Sequence, residues 1–195
     1  MKVAIVKYNA GNVASVRNAI SRLGVDSVVS DDAAVLRRAE RVIFPGVGEA
    51  SSAMSYLRGK RLDEVVRSLT QPVLGICLGM QLLCAYSEEN DTECLGVFPG
   101  RIRRFPGGGP LKVPHMGWNT ISDLRSPLLE GVKEDSYAYF VHGYYAERSP
   151  ETIAGCVYGE PFAAGVQKDN FYAVQFHPEK SGEAGTQILK NFLNL

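Results

Sequence analysis

Histidine, tryptophan and cysteine are all scarce in this chain of 195 residues, which holds 3, 1 and 4 of them respectively. The four cysteines, Cys77, Cys84, Cys94 and Cys156, form no Cys-x-x-Cys pair and are too few for a disulfide scaffold at this length. They are expected to be reduced thiols in a cytoplasmic protein. The three histidines, His115, His142 and His177, stand at no ligand spacing with a cysteine, so neither zinc nor any other cofactor is expected. A charge surplus is missing too: 21 basic residues balance 21 acidic ones, leaving no overall field to recruit nucleic acid or an anionic membrane. No apolar run approaches the roughly 18 residues that cross a bilayer. Met1-Lys2-Val3-Ala4-Ile5-Val6 reads as a first strand and not as a cleavable signal.

What is present is an alternating pattern. The first half predicts four strand–helix units: strands over 2–7, 27–30, 41–45 and 72–76, with helices between them. Asn12 stands where it would cap a helix bearing Val13, Val16, Ile20 and Leu23 on one face, and Gly24 ends that helix. Repeated strand–helix units imply a doubly wound, mostly parallel sheet. The second half predicts short strands joined by turns, over 101–105, 118–121, 137–141, 152–158, 163–167 and 171–176, and a closing helix with Ile188, Leu189 and Phe192 inward. Asp169-Asn170 marks a hairpin, Pro106–Pro110 a loop, and Arg101, Arg103 and Arg104 a solvated strand edge. With no repeat, linker or low-complexity tract, residues 1–195 are expected to form one α/β domain.

Gly75-Ile76-Cys77-Leu78-Gly79 carries the chemistry. An apolar strand runs into a cysteine with a glycine two residues to either side, and a helix-forming segment, Leu78–Tyr86, follows. This is a nucleophile elbow with sulfur in place of oxygen. A thiol attacks as thiolate and needs a basic or cationic neighbour. His177-Pro178-Glu179, after the strand Tyr172–Phe176, can supply one: His177 as acid and base, and Glu179, two residues on in an extended stretch, as the carboxylate that orients it. His142 is a rival base, but no carboxylate follows it at the same spacing and it is read as a supporting or structural residue. Acyl transfer also needs N–H donors aimed at the developing oxyanion. The backbone N–H of Leu78 is one candidate, and Val47 or Gly48 in Pro45-Gly46-Val47-Gly48 another. In a parallel sheet all three segments meet at the carboxyl ends of the strands. Cys84, Cys94 and Cys156 are read as inert apolar residues.

Gly-Ile-Cys-Leu-Gly-Met-Gln at 75–81 with His-Pro-Glu at 177–179 resembles the class I (triad) glutamine amidotransferases, whose domain is flavodoxin-like. The resemblance implies glutamine hydrolysis through a glutamyl-thioester on Cys77, with transfer of ammonia to a synthase. It also implies that Gln81, Gly46, Gly143 and Tyr144 help bind glutamine. Further segments resemble those members that feed a (βα)₈-barrel cyclase in histidine biosynthesis: Ala10-Gly11-Asn12, Met80, Pro114-His115-Met116-Gly117-Trp118-Asn119, and His177 through Gly182. On that resemblance Met116, Trp118, Asn119, Tyr139 and Lys180 face the partner. The chain departs from the pattern in two places, with Lys7-Tyr8-Asn9 for Asp-Tyr-Gly, and Gly143 for a hydroxyl residue. The alternatives are the glutaminase of another ammonia-using synthase, a thiol hydrolase acting alone, and a non-catalytic interaction subunit.

Overall fold

The computed structural model describes residues 2–107 and 111–195, so the loop expected over 106–110 lies partly outside the described residues. The first half contains β1 (Val3–Val6), α1 (Val13–Arg22), β2 (Ser27–Ser30), α2 (Ala33–Arg38), β3 (Arg41–Phe44), α3 (Ala50–Gly59), α4 (Leu62–Arg67), β4 (Val73–Ile76) and α5 (Leu78–Leu83). The second half contains β5 (Tyr86–Ser87), β6 (Thr92–Glu93), β7 (Arg101–Arg104), β8 (His115–Ile121), β9 (Ser136–His142), β10 (Tyr144–Ala146), β11 (Thr152–Tyr158), β12 (Glu160–Lys168), β13 (Phe171–Val174) and α6 (Gly182–Asn194). Short 3-10 turns form at Pro127–Leu129 and Pro178–Lys180.

The large sheet runs β2-β1-β3-β4-β13-β12-β10-β7-β5-β6, with β11 on β12. Its first five strands are parallel and those from β12 onward mostly antiparallel. Every residue of β1, β4 and β13 is buried, as expected of strands with helices on both faces. Alternation divides the core. Ala4, Val6, Val42, Phe44 and Val73 pack under α2, α3 and α4, while Val3, Ile5, Ile43, Leu74 and Ile76 pack under α1 and α6. The Asp169-Asn170 turn, with Asp169 at φ +51°, folds β12 back on β13. That hairpin lays β13 parallel to β4 with Val174 beside Ile76, which brings the residues after β13 next to Cys77.

Three local expectations are corrected. The helix after Cys77 stops at Leu83, short of Tyr86, because the N–H groups of Leu95, Phe98 and Gly96 take the carbonyls of Leu82, Leu83 and Cys84. β7 is not an edge: β10 flanks it on one side and β5 on the other, with Arg103 paired to Glu88 at 2.9 Å and Glu147 at 3.1 Å. Asn12 precedes α1 in a left-handed conformation (φ +72°) and its side chain does not cap the helix. That side chain is used elsewhere.

Candidate active site

Cys77 sits between β4 and α5 at φ +52°, ψ −108°, a conformation costing of order 1–3 kcal/mol for a residue with a side chain. The turn closes only because its neighbours lack bulk. A Cβ on Gly79 would stand 1.8 Å from the carbonyl oxygen of Phe44, and one on Gly75 would stand 2.7 Å from Leu83 Cδ1. The elbow thus drives the first turn of α5 against the end of β3.

His177 enters from the end of β13. Its backbone N–H donates to the Tyr139 carbonyl at 2.9 Å, and Ser181 Oγ donates to the His177 carbonyl at 2.7 Å. Nδ1 lies 2.8 Å from Glu179 Oε1. A carboxylate oxygen only accepts, so Nδ1 carries a proton toward Glu179, and Nε2 is left for the Cys77 side. His177 is extended, but Pro178–Lys180 turns as a 3-10 segment, so the carboxylate reaches back from a turn and does not lie along a strand as expected. Burial would lower the His177 pKa, but hydrogen bonds to Cys77 and to Glu179, with the negative charges of both, raise it from 6.5 to about 10. The imidazole is held protonated through the neutral range. Asn12 Nδ2 donates to the same Oε1 of Glu179 and touches His177 Nδ1 at 3.3 Å. Since Nδ1 already bears a proton, the carboxylate is the real acceptor.

The Gly46–Gly48 segment lies against the elbow. The N–H of Leu78 donates to the Gly46 carbonyl at 3.2 Å, and that of Gly11 to the Val47 carbonyl at 3.3 Å. Gly48 has φ +131°, reached without strain only by glycine. Beneath the segment, Tyr8 donates its phenol proton to the Pro45 carbonyl at 2.6 Å and stacks obliquely on Phe44. Burial, then the charge of Cys77, raises the Tyr8 pKa and keeps the phenol protonated.

β9 and β10 border the sulfur on another side, with Cys77 Sγ 3.7 Å from the Val141 carbonyl. Gly143 and Tyr144 follow directly, and Gln81 Nε2 donates to the Tyr144 carbonyl at 3.0 Å. The same nitrogen donates to Gln175 Oε1 at 3.0 Å, so both amide protons of Gln81 are engaged inside the protein and only its oxygen is left for a ligand. A Cβ on Gly143 would meet nothing nearer than Val113 at 3.9 Å, so glycine there is not demanded by packing.

The residues grouped as partner-facing divide. In the β8–β9 hairpin Trp118 is cross-strand to Tyr139 with rings 5.8 Å apart, Met116 and Trp118 are 65% and 55% exposed, and Lys180 Nζ lies 5.9 Å from the Tyr139 ring. Asn119 is not with them. Strand alternation turns it to the inner face, where Nδ2 donates to the Val157 carbonyl at 3.0 Å and contacts His115 Nε2 at 3.4 Å. His142 is likewise inward, paired with His115. Two side chains at the site were not assigned roles from the sequence: Asn12, which looked like a helix cap, and Gln175, which looked like one polar residue in an apolar strand. Nothing local marks either, because their partners are 167 and 98 residues away.

Among the described residues no group of histidine, cysteine and carboxylate side chains could hold a metal ion, and no helix is long and apolar enough to cross a membrane. A thiol on a strained elbow, a protonated imidazole and a carboxylate behind it are equipment for acyl transfer from an amide or ester.

The chain belongs to the glutamine amidotransferase class-I family, whose profile matches residues 5–195. It is 57% identical over 196 residues to a Bacteroides fragilis protein named imidazole glycerol phosphate synthase subunit HisH, and 49% identical over 197 residues to the protein of that name from Yersinia pseudotuberculosis, with 100% of both chains covered in each case. Solved structures agree on the fold at much lower identity. PurLQS from Thermotoga maritima superposes with a TM-score of 0.74 at 19% identity, over 99% of this chain and 97% of that one.

Proposed function

We propose that this chain is the glutaminase subunit of an imidazole glycerol phosphate synthase, working as a single domain over residues 1–195 with Cys77, His177 and Glu179 as its catalytic triad. The observation that carries the reading is the line Glu179–His177–Cys77, with Oε1 2.8 Å from Nδ1 and Cys77 near enough to the imidazole to help raise its pKa. Relatives matched over their whole length support the choice of glutamine as the amide and of a cyclase as the partner.

With His177 protonated, the sulfur of Cys77 attacks the side-chain amide carbon of glutamine, and the carbonyl π electrons move to oxygen. The Leu78 N–H, with Val47 or Gly48 as second donor, would hold that oxyanion. Collapse breaks the C–N bond while His177 Nε2 delivers its proton to the nitrogen, which leaves as ammonia. The neutral imidazole then takes a proton from water, whose oxygen attacks the thioester, and the carbon–sulfur bond breaks to give glutamate and the resting imidazolium. Glu179 steadies the imidazolium throughout, and Asn12 steadies Glu179. Gln81, Gly46, Gly143 and Tyr144 line the glutamine side. Met116, Trp118, Tyr139 and Lys180 form the face for a (βα)₈-barrel cyclase, which uses the ammonia to make imidazole glycerol phosphate and an aminoimidazole carboxamide ribotide. Cys77 is only 5% exposed, so its sulfur is largely shielded from bulk water.

The deciding experiment is Cys77→Ala in the reconstituted complex. Glutamine-dependent product formation should vanish while formation from added ammonium stays at the wild-type rate. Loss of both would make Cys77 structural and sink the assignment.

A further inference from the structure

Gln175 is wholly buried beside the triad, the first residue after β13 and two residues before His177. Its Nε2 lies 3.7 Å from Cys77 Sγ, within the reach of an N–H donor to sulfur. Its Oε1 is held by Gln81 Nε2 at 3.0 Å, which fixes which end of the amide faces the sulfur. Gln81 is held in turn by the Tyr144 carbonyl at 3.0 Å. That carbonyl also lies 2.7 Å from His142 Nδ1. A carbonyl cannot donate, so Nδ1 bears the proton of His142 and its Nε2 is an acceptor. His115 Nδ1, 3.0 Å from that Nε2, must therefore be the donor, leaving His115 Nε2 to accept from Asn119 at 3.4 Å. Every proton in the chain is assigned by the next acceptor. Both rings are neutral: burial lowers the pKa of His115 to about 4 and that of His142 to about 3.

We propose that Gln175 is a positioning residue of the thiol, its amide N–H steadying the Cys77 sulfur as thiolate, and that Gln81, the Tyr144 carbonyl, His142 and His115 form one buried hydrogen-bond chain that holds this amide in its donor orientation. Two donors converge on the Tyr144 carbonyl. From Gln81 onward the amides point the same way, each polarising the next toward the sulfur. The chain's far end lies on the inner face of the β8–β9 hairpin, whose outer face carries Trp118 and Tyr139. A tilt of that hairpin therefore pulls on the donor at the sulfur. The inference deepens the assignment of Cys77 as nucleophile and rests on it for its catalytic meaning.

The test is the pH profile of Cys77 alkylation by iodoacetamide on the full chain, read at the Cys77 peptide by mass spectrometry. Gln175→Met removes both functions of the amide. Gln175→Glu keeps an acceptor for Gln81 and replaces the N–H donor with a carboxylate whose charge also disfavours a thiolate. It serves where the first variant fails to fold, while the uncharged Gln175→Met tests the loss of the donor without that charge. Both should alkylate about tenfold more slowly at neutral pH, the loss expected of a hydrogen bond to a charged group, with the profile displaced to higher pH. In the complex with the cyclase, kcat for glutamine should fall with KM held. His142→Phe should displace the profile the same way and His142→Asn, which keeps an N–H for the Tyr144 carbonyl, should restore it. A wild-type profile in Gln175→Glu, or identical profiles in His142→Phe and His142→Asn, would overturn the proposal. Alkylation needs no glutamine, so failure of the wild-type complex to hydrolyse glutamine would count against the proposed function and not against this chain of bonds.

Discussion

The backbone N–H of Leu78 donates to the carbonyl of Gly46 at 3.2 Å. The donor that acyl transfer would aim at an oxyanion is thus already engaged, and by the very segment proposed to supply its companion. An oxyanion forming at Cys77 would meet a carbonyl oxygen where it needs an N–H. We expect the isolated chain to release glutamate from glutamine at least about a hundredfold more slowly than the chain with its cyclase, since one missing oxyanion donor costs about a hundred- to a thousandfold. Equal rates in a coupled glutamate assay would refute this.

Gly46 should tolerate no side chain. A Cβ there would stand 2.2 Å from Tyr8 Oη and 3.1 Å from Leu78 Cβ. Gly46→Ala is expected to cost about 2 kcal/mol or more in urea unfolding, as overpacking of a tight site does. Adding Tyr8→Phe removes the clashing oxygen and should recover part of that loss. An additive double variant would mean that the phenol is not the obstacle.

Asn12 is expected to matter for turnover and not for helix α1. Its amide donates to the carboxylate that orients His177, and a hydrogen bond to a charged group contributes about 1.5–3 kcal/mol. Asn12→Ala should lower kcat about tenfold and lower the melting temperature by about 5 °C through the carboxylate it leaves unpaired, with the helical signal of α1 kept in the folded protein. Asn12→Asp should be worse, because it places a second carboxylate against Glu179. Full activity in Asn12→Ala would show that Glu179 is held well enough without it.

Acid should destabilise this fold early. His115 and His142 have pKa values near 6.5 in the unfolded chain and about 4 and about 3 when folded, so the unfolded state alone takes up protons as pH falls below 6.5. Stability should drop by about 2 kcal/mol per histidine by pH 5. The raised His177 works in the other window: its contribution is complete below 6.5 and is lost as pH rises through about 10, so it offsets nothing in acid. Urea midpoints at pH 7 and pH 5 should differ clearly in wild type and less in His142→Phe. Equal drops in the two proteins would show that His142 is not the group taking up protons.

The His177 imidazolium, proposed to protonate the departing nitrogen, disappears as pH passes about 10. Glutaminase activity of the complex should fall on an alkaline limb there, and Glu179→Gln should bring that limb to lower pH by removing a charge that favours the protonated ring. An unmoved limb would assign it to another group.

Much of the site was legible because its parts are local. The Cys77 elbow needs residues without bulk at fixed offsets, and His177 and Glu179 are two positions apart, so short motifs carry both. The parallel half of the sheet was legible for the same reason, since each strand–helix unit repeats one apolar pattern. Asn12 was misread because an asparagine before a helix satisfies a local rule, while its actual partner arrives from the other end of the chain. Asn119 was grouped with Trp118 on the family resemblance, yet strand alternation sends these two neighbours to opposite faces of the hairpin.

The sequence by itself determined that a cysteine would be presented on a strained turn, that a histidine–carboxylate pair would follow a late strand, and that the fold would be α/β. Short-range sterics and periodicity are sufficient for those conclusions. Only the tertiary structure decided that β13 lies beside β4, that Leu78 is closed onto Gly46, and that Asn12 and Gln175 converge on the triad. Those contacts join residues far apart along the chain, and their energies come from burial and hydrogen bonding that exist only once the sheet has assembled.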